Sequence, residues 1–200
     1  MAELHIAQHE AADRLVSQDP LALLIAMVLD QQIPLEKAFR GPLDLQARLG
    51  HLDPARIADE EPDRLASVFA MQPALHRFPA SMAERVQQLC RIVRDEYGGD
   101  TARLWTEARD GAELLRRVKA LPGFGEQKAR IFVALLGKQL AVRPRGWREA
   151  SKPFGDPRTS MSVADIDGQE SLQRVRSYKK QAKAAARSAT PAAAPGKAGS

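Results

Sequence analysis

The stretch Leu121-Pro122-Gly123-Phe124-Gly125-Glu126-Gln127-Lys128-Ala129 concentrates the most chemistry in the fewest residues. An amphipathic segment with Leu114, Leu115, Val118 and Leu121 runs into it, and a second one with Ala129, Ile131, Phe132 and Leu135 leaves it. Two glycines in such a turn permit positive φ and close approach of another backbone. The free amides ahead of a helix N-terminus then form an anion-binding nest, so the turn is suited to grip one phosphate. Lys128, one turn into the second helix, is expected to face phosphate or solvent, and Arg130, Arg143 and Arg145 add longer-range positive charge. Trp147 stands among Arg145, Gly146 and Arg148, an aromatic-and-basic grouping suited to stacking on a base or meeting a DNA edge. Trp105, beside Leu104, reads instead as core.

Other chemistries are excluded early. His5, His9, His51 and His76 lack metal-ligand spacing relative to one another, so no metal site is expected. The single Cys90 rules out a disulfide framework, a cysteine-rich zinc site and a four-cysteine iron-sulfur cluster. It reads as a small buried hydrophobe in a reducing cytoplasm.

Charge supports a polyanionic partner. The 200 residues carry 30 Lys and Arg against 25 Asp and Glu, a net +5, but the charges are segregated. Residues 1–115 hold 12 basic and 19 acidic groups, residues 116–148 hold nine basic groups against Glu126 alone, and residues 171–200 hold seven basic and no acidic groups. Two basic zones on an acidic body suit a nucleic acid backbone, whose neutralisation releases counterions. Simple solvation of a surface by Lys and Arg is the competing account.

The elements that must position these residues are helical throughout. Apolar residues recur at three- and four-residue spacing, punctuated by Asp-Pro, Glu-Pro and Gly, which predicts an all-α fold. Helices are expected near 8–17, 20–31, 34–40, 43–50, 54–60, 62–70, 79–97, 101–108, 110–120, 126–138 and 169–186. The Gly/Pro-rich segment 144–161 reads as an inserted loop, and residues 185–200 as a disordered basic tail after a domain spanning 1–184. The apolar run Leu21–Leu29 has nine residues, against roughly 20 needed to cross a bilayer, and the N-terminus lacks the order of a signal peptide.

The string Leu121, Pro122, Gly123, Gly125 and Ala129 resembles the helix-hairpin-helix of DNA repair proteins. Upstream, Leu21–Ile33 (LALLIAMVLDQQI) and Ser81–Gly99 (SMAERVQQLCRIVRDEYGG) resemble helices of the helix-hairpin-helix (HhH-GPD) DNA glycosylase superfamily, the group that contains endonuclease III and the adenine and 3-methyladenine glycosylases. The match spans about residues 20–142. It implies a helix-hairpin-helix glycosylase-like domain that binds double-stranded DNA in base excision repair. A monomer associated with the nucleoid is expected. The resemblance also permits a monovalent cation at the hairpin carbonyls.

The resemblance further implies extrusion of a base and cleavage of its N-glycosidic bond, supported by an Asp shortly after the hairpin. This chain reads LAVRP there, with Arg143 in the position of that Asp. If 144–161 is inserted, Asp165 in SVAD regains the pattern and is the first candidate, with Asp156 the second. Capping of the last helix by Asp165 or Asp167 is the structural alternative. Members with lyase activity carry a Lys where this chain has Gln127, so a monofunctional N-glycosylase is expected. Gln32 matches the position from which relatives fill the gap left by an extruded base, although a polar helix end would also place a Gln there. Pro122, Gly123, Phe124 and Gly125 complete the expected DNA contacts. The rival readings are a hairpin DNA-binding protein without catalysis, and an adaptor whose basic tail does the binding.

Overall fold

The computed structural model describes residues 3–189, with side chains as far as residue 185. Its centre is α2 (Pro20–Leu29), in which every residue from Leu21 to Leu29 is buried. A helix apolar all round has no face for solvent and must be enclosed by others. Asp19 starts it: the carboxylate accepts from the amides of Leu21 (2.8 Å) and Ala22 (3.2 Å), while Pro20 occupies the first turn, where its missing N–H costs nothing. In front of it lies α1 (Glu10–Gln18), whose buried Asp13 accepts from the amides of Ile6 and Ala7 and so pins Leu4 and Ile6 into the core.

After α2 the chain turns through Asp30–Pro34 into α3 (Leu35–Leu49), α4 (Pro54–Ala58), α5 (Pro62–Ala70) and the long α6 (Pro79–Tyr97). Both α4 and α5 pack on α6, and Gln87 of α6 donates to the carbonyl of Ile57 (3.4 Å) and to that of Glu60 (2.5 Å). Cys90 is fully buried in this packing, which pushes its thiol up to about 12 and leaves it unreactive. The sequence predicts two helices over 34–50; one continuous helix is found, running through Gly41 and Pro42. A Cβ on Gly41 would stand 2.4 Å from Leu29 Cδ1, so a bare backbone lets α3 close on α2, and that packing outweighs the hydrogen bond Pro42 cannot make.

The second half holds α7 (Arg103–Thr106), α8 (Gly111–Lys119), α9 (Glu126–Gln139), α10 (Trp147–Ala150), a 3-10 turn at Val163–Asp165, and α11 (Gln169–Ala189). Among the described residues there are no strands, and the all-α expectation holds. Nor is any helix among them long and apolar enough to cross a membrane. The segment 144–161, expected as loop, contains α10. The helix α11 continues five residues into the segment expected to be disordered, and residues 190–200 lie outside the described residues.

Candidate functional site

The hairpin joins α8 to α9. Gly123 has φ +80°, a left-handed conformation that favours glycine, and Gly125 precedes α9 with no side-chain cap. The first amides of α9 therefore have no intrahelical partner and no side chain covering them, and Gly125, Glu126 and Gln127 are exposed. Phe124, expected to touch DNA, is 4% exposed and stacks edge-on against Phe132 at 5.7 Å. With Gly on either side, the aromatic ring joins Leu121 in anchoring the turn to the core, which explains this correction. Arg130 lies on the first turns of α9 but is engaged, donating to Glu126 (2.7 Å) and to the carbonyl of Lys152 (2.9 Å). Lys119 also pairs with Glu126, and these two cations hold that carboxyl below its usual range.

Against the hairpin stands the C-terminal end of α2. A Cβ on Gly123 would lie 3.5 Å from Gln31 Nε2 and 3.8 Å from Val28. Gln31 is locked in place: its amide nitrogen donates to the Val28 carbonyl (2.8 Å), and its side-chain oxygen accepts from Arg85 of α6 (2.8 Å). The buried His76 holds the Gln31 carbonyl at 2.7 Å through Nε2, while Nδ1 accepts from the Phe78 amide (3.0 Å). That pattern assigns His76 the neutral tautomer with the proton on Nε2, and burial accordingly lowers its pKa. Gln32, by contrast, is exposed with φ +55°. A rigid Gln31 thus stands next to an exposed Gln32 whose backbone is held in the left-handed region.

Two residues here escaped the sequence reading. Phe78 is 45% exposed with the Arg77 guanidinium 4.8 Å over its ring, a large apolar group left in solvent one residue before α6. The signal was an apolar residue directly before Pro79, outside any helical stripe. The second is Asp30, which caps α2. Its carboxyl is half-buried and takes no hydrogen bond from the described residues; burial raises its pKa, against the opposing pull of Lys179 and Lys128.

Lys128, expected to reach phosphate or solvent, points inward. Its ammonium donates to the carbonyls of Met27 (2.8 Å) and Asp30 (3.2 Å), which are orphan acceptors at the end of α2. Burial pushes this amine down to about 8, and Asp30 pulls the other way. One residue of offset from Gln127 rotates the side chain by about 100°, enough to turn it from the hairpin mouth into the α2 junction.

The other end of α9 carries the expected carboxylate. Asp165, with 4% side-chain exposure, pairs with Lys138 of α9 and accepts from Thr159 Oγ1 (3.3 Å) and from the amides of Met161 (2.8 Å) and Ser162 (3.0 Å). It forms a capping box with Ser162 on the 3-10 turn. The start of α11 is closed instead by the Ser171 hydroxyl, which accepts from the amides of Asp167 and Gly168. Asp156 is clamped bidentately by Arg158 (3.0 and 3.2 Å), and that partner holds its carboxyl down at about 2. Arg143 donates from Nε to the Gly137 carbonyl (2.8 Å). With Lys138, Arg148, Arg158 and Arg174 it lines a crevice of about 410 Å³ beside Asp165, a full helix length away from the hairpin. Arg145 is exposed, and its carbonyl receives the Gly111 amide (2.8 Å).

Trp147, expected against a base, is 6% exposed. A Cβ on Gly137 would be 2.3 Å from its ring and one on Gly111 2.5 Å from its Cα, so two glycines make its socket and Arg148 covers it at 4.8 Å. Its burial follows from those bare positions on α8 and α9, which are distant from it in sequence.

The structure therefore brings together Gly123, Gly125, Gln32, Lys128 and Asp30 at one end of α9, and Asp165, Asp156 and Arg143 at the other. No group of His, Cys, Asp or Glu among the described residues has the arrangement to hold a metal ion. Neither a curated protein nor a solved structure matches the chain. A family model, HhH-GPD superfamily base excision DNA repair protein, matches residues 25–192, which begins inside α2 and includes the hairpin and all of α11. With the second half of the buried α2, the long α6 and the hairpin glycines inside that span, the chain belongs to the HhH-GPD superfamily of base excision DNA repair proteins.

Proposed function

We propose that the protein removes a damaged or mismatched base from duplex DNA by hydrolysing its N-glycosidic bond, without a lyase step, as a monomer at the nucleoid. The observation that carries this reading is the meeting of the Gly123 hairpin with the end of α2, where Gln32 and Phe78 project from a support made of Gln31, His76 and Arg85. In this reading the amides at the start of α9 bind a backbone phosphate. Gln32 occupies the gap left by the extruded nucleotide, and Phe78 acts as an apolar wedge between bases. Gln127 supplies no amine for a Schiff base, and Lys128 is held on two carbonyls. The carbonyls of Pro122 and Gly123 accept no hydrogen bond from the described residues and would hold a monovalent cation, which would add positive charge beside the bound phosphate.

The test is a panel of duplexes, each with one alkylated, oxidised, deaminated or mismatched base, treated with alkali to reveal abasic sites. Release from at least one lesion, lost together with duplex affinity in Gly123→Ala, is expected. Arg143 in place of the family's Asp, with Asp165 and Asp156 both paired to cations, favours a second reading, a hairpin DNA-binding protein without catalysis. Salt-sensitive duplex binding with no release from any lesion would select it.

A further inference from the structure

Hydrolysis of an N-glycosidic bond calls for a carboxylate near the cationic sugar, and the carboxylates after the hairpin are committed elsewhere. Asp165 accepts from Lys138, Thr159, Met161 and Ser162, and Asp156 is locked by Arg158. Both sit at or beyond the far end of α9.

Asp30 differs from them on three counts. Its carboxyl has no hydrogen-bond donor among the described residues, although it is half-buried. It caps the C-terminus of α2, where a carboxylate faces the negative end of the helix dipole and gains nothing from the fold. Its place is also at the hairpin: Lys128 of α9 binds its own carbonyl, Gln31 beside it touches Gly123, and Gln32 follows, within about 7 Å of chain. The charged groups around it are Lys128 from α9 and Lys179 from α11, with Arg85 of α6 and the neutral His76 bound to the next residue, Gln31. An acidic group with no donor among the described residues, at the negative end of a helix, beside a partly buried lysine and one residue from the side chain that packs on Gly123, has the surroundings of a reaction site more than of a structural one.

We propose that Asp30 is the carboxylate that supports base release, with Lys128 as the residue that positions it. The inference rests on the glycosylase reading. As the bond from C1′ to the base nitrogen breaks, its electron pair leaves on the base, and a water oxygen bonds to C1′. One proton of that water passes to the Asp30 carboxylate, and the departing base takes up a proton from solvent. Before and during that step the ionised carboxylate faces the developing positive charge on the sugar. Lys128 reacts with nothing; bound to the carbonyls of Met27 and Asp30, it fixes the end of α2 against α9.

The experiment measures single-turnover base release at saturating duplex, using a lesion the wild type processes, for Asp30→Asn and for Lys179→Met across pH. Asp30→Asn is expected to lose at least about 100-fold in rate while keeping duplex affinity. Lys179 is exposed on α11 and lowers the Asp30 pKa, so Lys179→Met is expected to move the acid limb of the rate profile to higher pH. A merely structural Asp30 would leave that limb where it is. Should Asp30→Asn fail to fold, the Lys179→Met profile decides alone, and an unmoved limb overturns the proposal. Release by Asp30→Asn within threefold of wild type overturns Asp30 and leaves the glycosylase reading standing. No release by the wild type from any lesion, with duplex binding intact, overturns both.

Discussion

The two ends of α9 treat their charged side chains in opposite ways. At the C-terminal end, Lys138 and Asp165 are paired, the Asp165 oxygens are filled by neighbouring amides, and Trp147 seals the socket left by Gly111 and Gly137. At the N-terminal end, the first amides of the helix are uncapped, Gln32 is exposed with positive φ, and the Asp30 carboxyl has no donor among the described residues. No buried side-chain polar atom among the described residues lacks a partner, so the open groups at the hairpin end are ones that solvent reaches, and it is there that the proposed function places the DNA.

That contrast is easiest to break at the closed end. Trp147→Ala is expected to cost ~3–5 kcal/mol in thermal or denaturant unfolding, because α8, α9 and α10 all lose their common filler. At a temperature where the variant is folded, its duplex affinity should be unchanged; a large loss of affinity would return Trp147 to the DNA surface. Asp165→Ala comes next, at about 3 kcal/mol, since it leaves Lys138 buried without its partner and removes the cap of the 3-10 turn. Asp30→Asn, at the open end, should change stability by less than about 1 kcal/mol, because no hydrogen bond from the described residues reaches that carboxyl and the pull of Lys179 and Lys128 is opposed by its burial.

Gly123→Ala sharpens the other side of the comparison. The left-handed conformation costs an alanine about 1–2 kcal/mol, and duplex affinity measured by fluorescence anisotropy is expected to fall about tenfold as the turn relaxes. The smallest effects are in pH. Glu113, held by Arg109 and Arg117, has its pKa lowered from 4.5 to about 2. Its contribution is complete above pH 4.5 and is lost as pH falls toward 2, so Glu113→Gln should flatten the acid side of the stability curve. Lys128 has the opposite sign: its folded pKa of about 8 lies below the ordinary 10.5. The unfolded chain binds more protons between those values, so stability should rise slightly with pH across that window, and Lys128→Met should abolish the rise.

Much of the fold was legible in the sequence because helical periodicity, Asp-Pro starts and the hairpin glycines are local signals. The two helices expected over 34–50 merged because the packing of Gly41 on Leu29 is a contact between elements, which outweighs the local breaker Pro42. The site was read in part. Gln32 and the hairpin glycines lie where their own sequence context places them, whereas Phe124 and Trp147 turned inward to fill spaces made by distant residues. Lys128 was read from its neighbours in the turn, but its partners are about 100 residues earlier in the chain. Asp30, beside Gln31 and Gln32, has no family counterpart in the sequence, and the lysines that act on it, Lys128 and Lys179, are distant in the chain.

The most direct measurement pairs thermal midpoint with base-release rate for Asp30→Asn and Asp165→Asn, prepared and assayed side by side. The account predicts that Asp165→Asn loses several degrees of stability and, when assayed folded, keeps a rate near wild type, while Asp30→Asn keeps its midpoint and loses the rate. Loss of rate in folded Asp165→Asn, with Asp30→Asn still active, would contradict it and place the chemistry at the other end of α9.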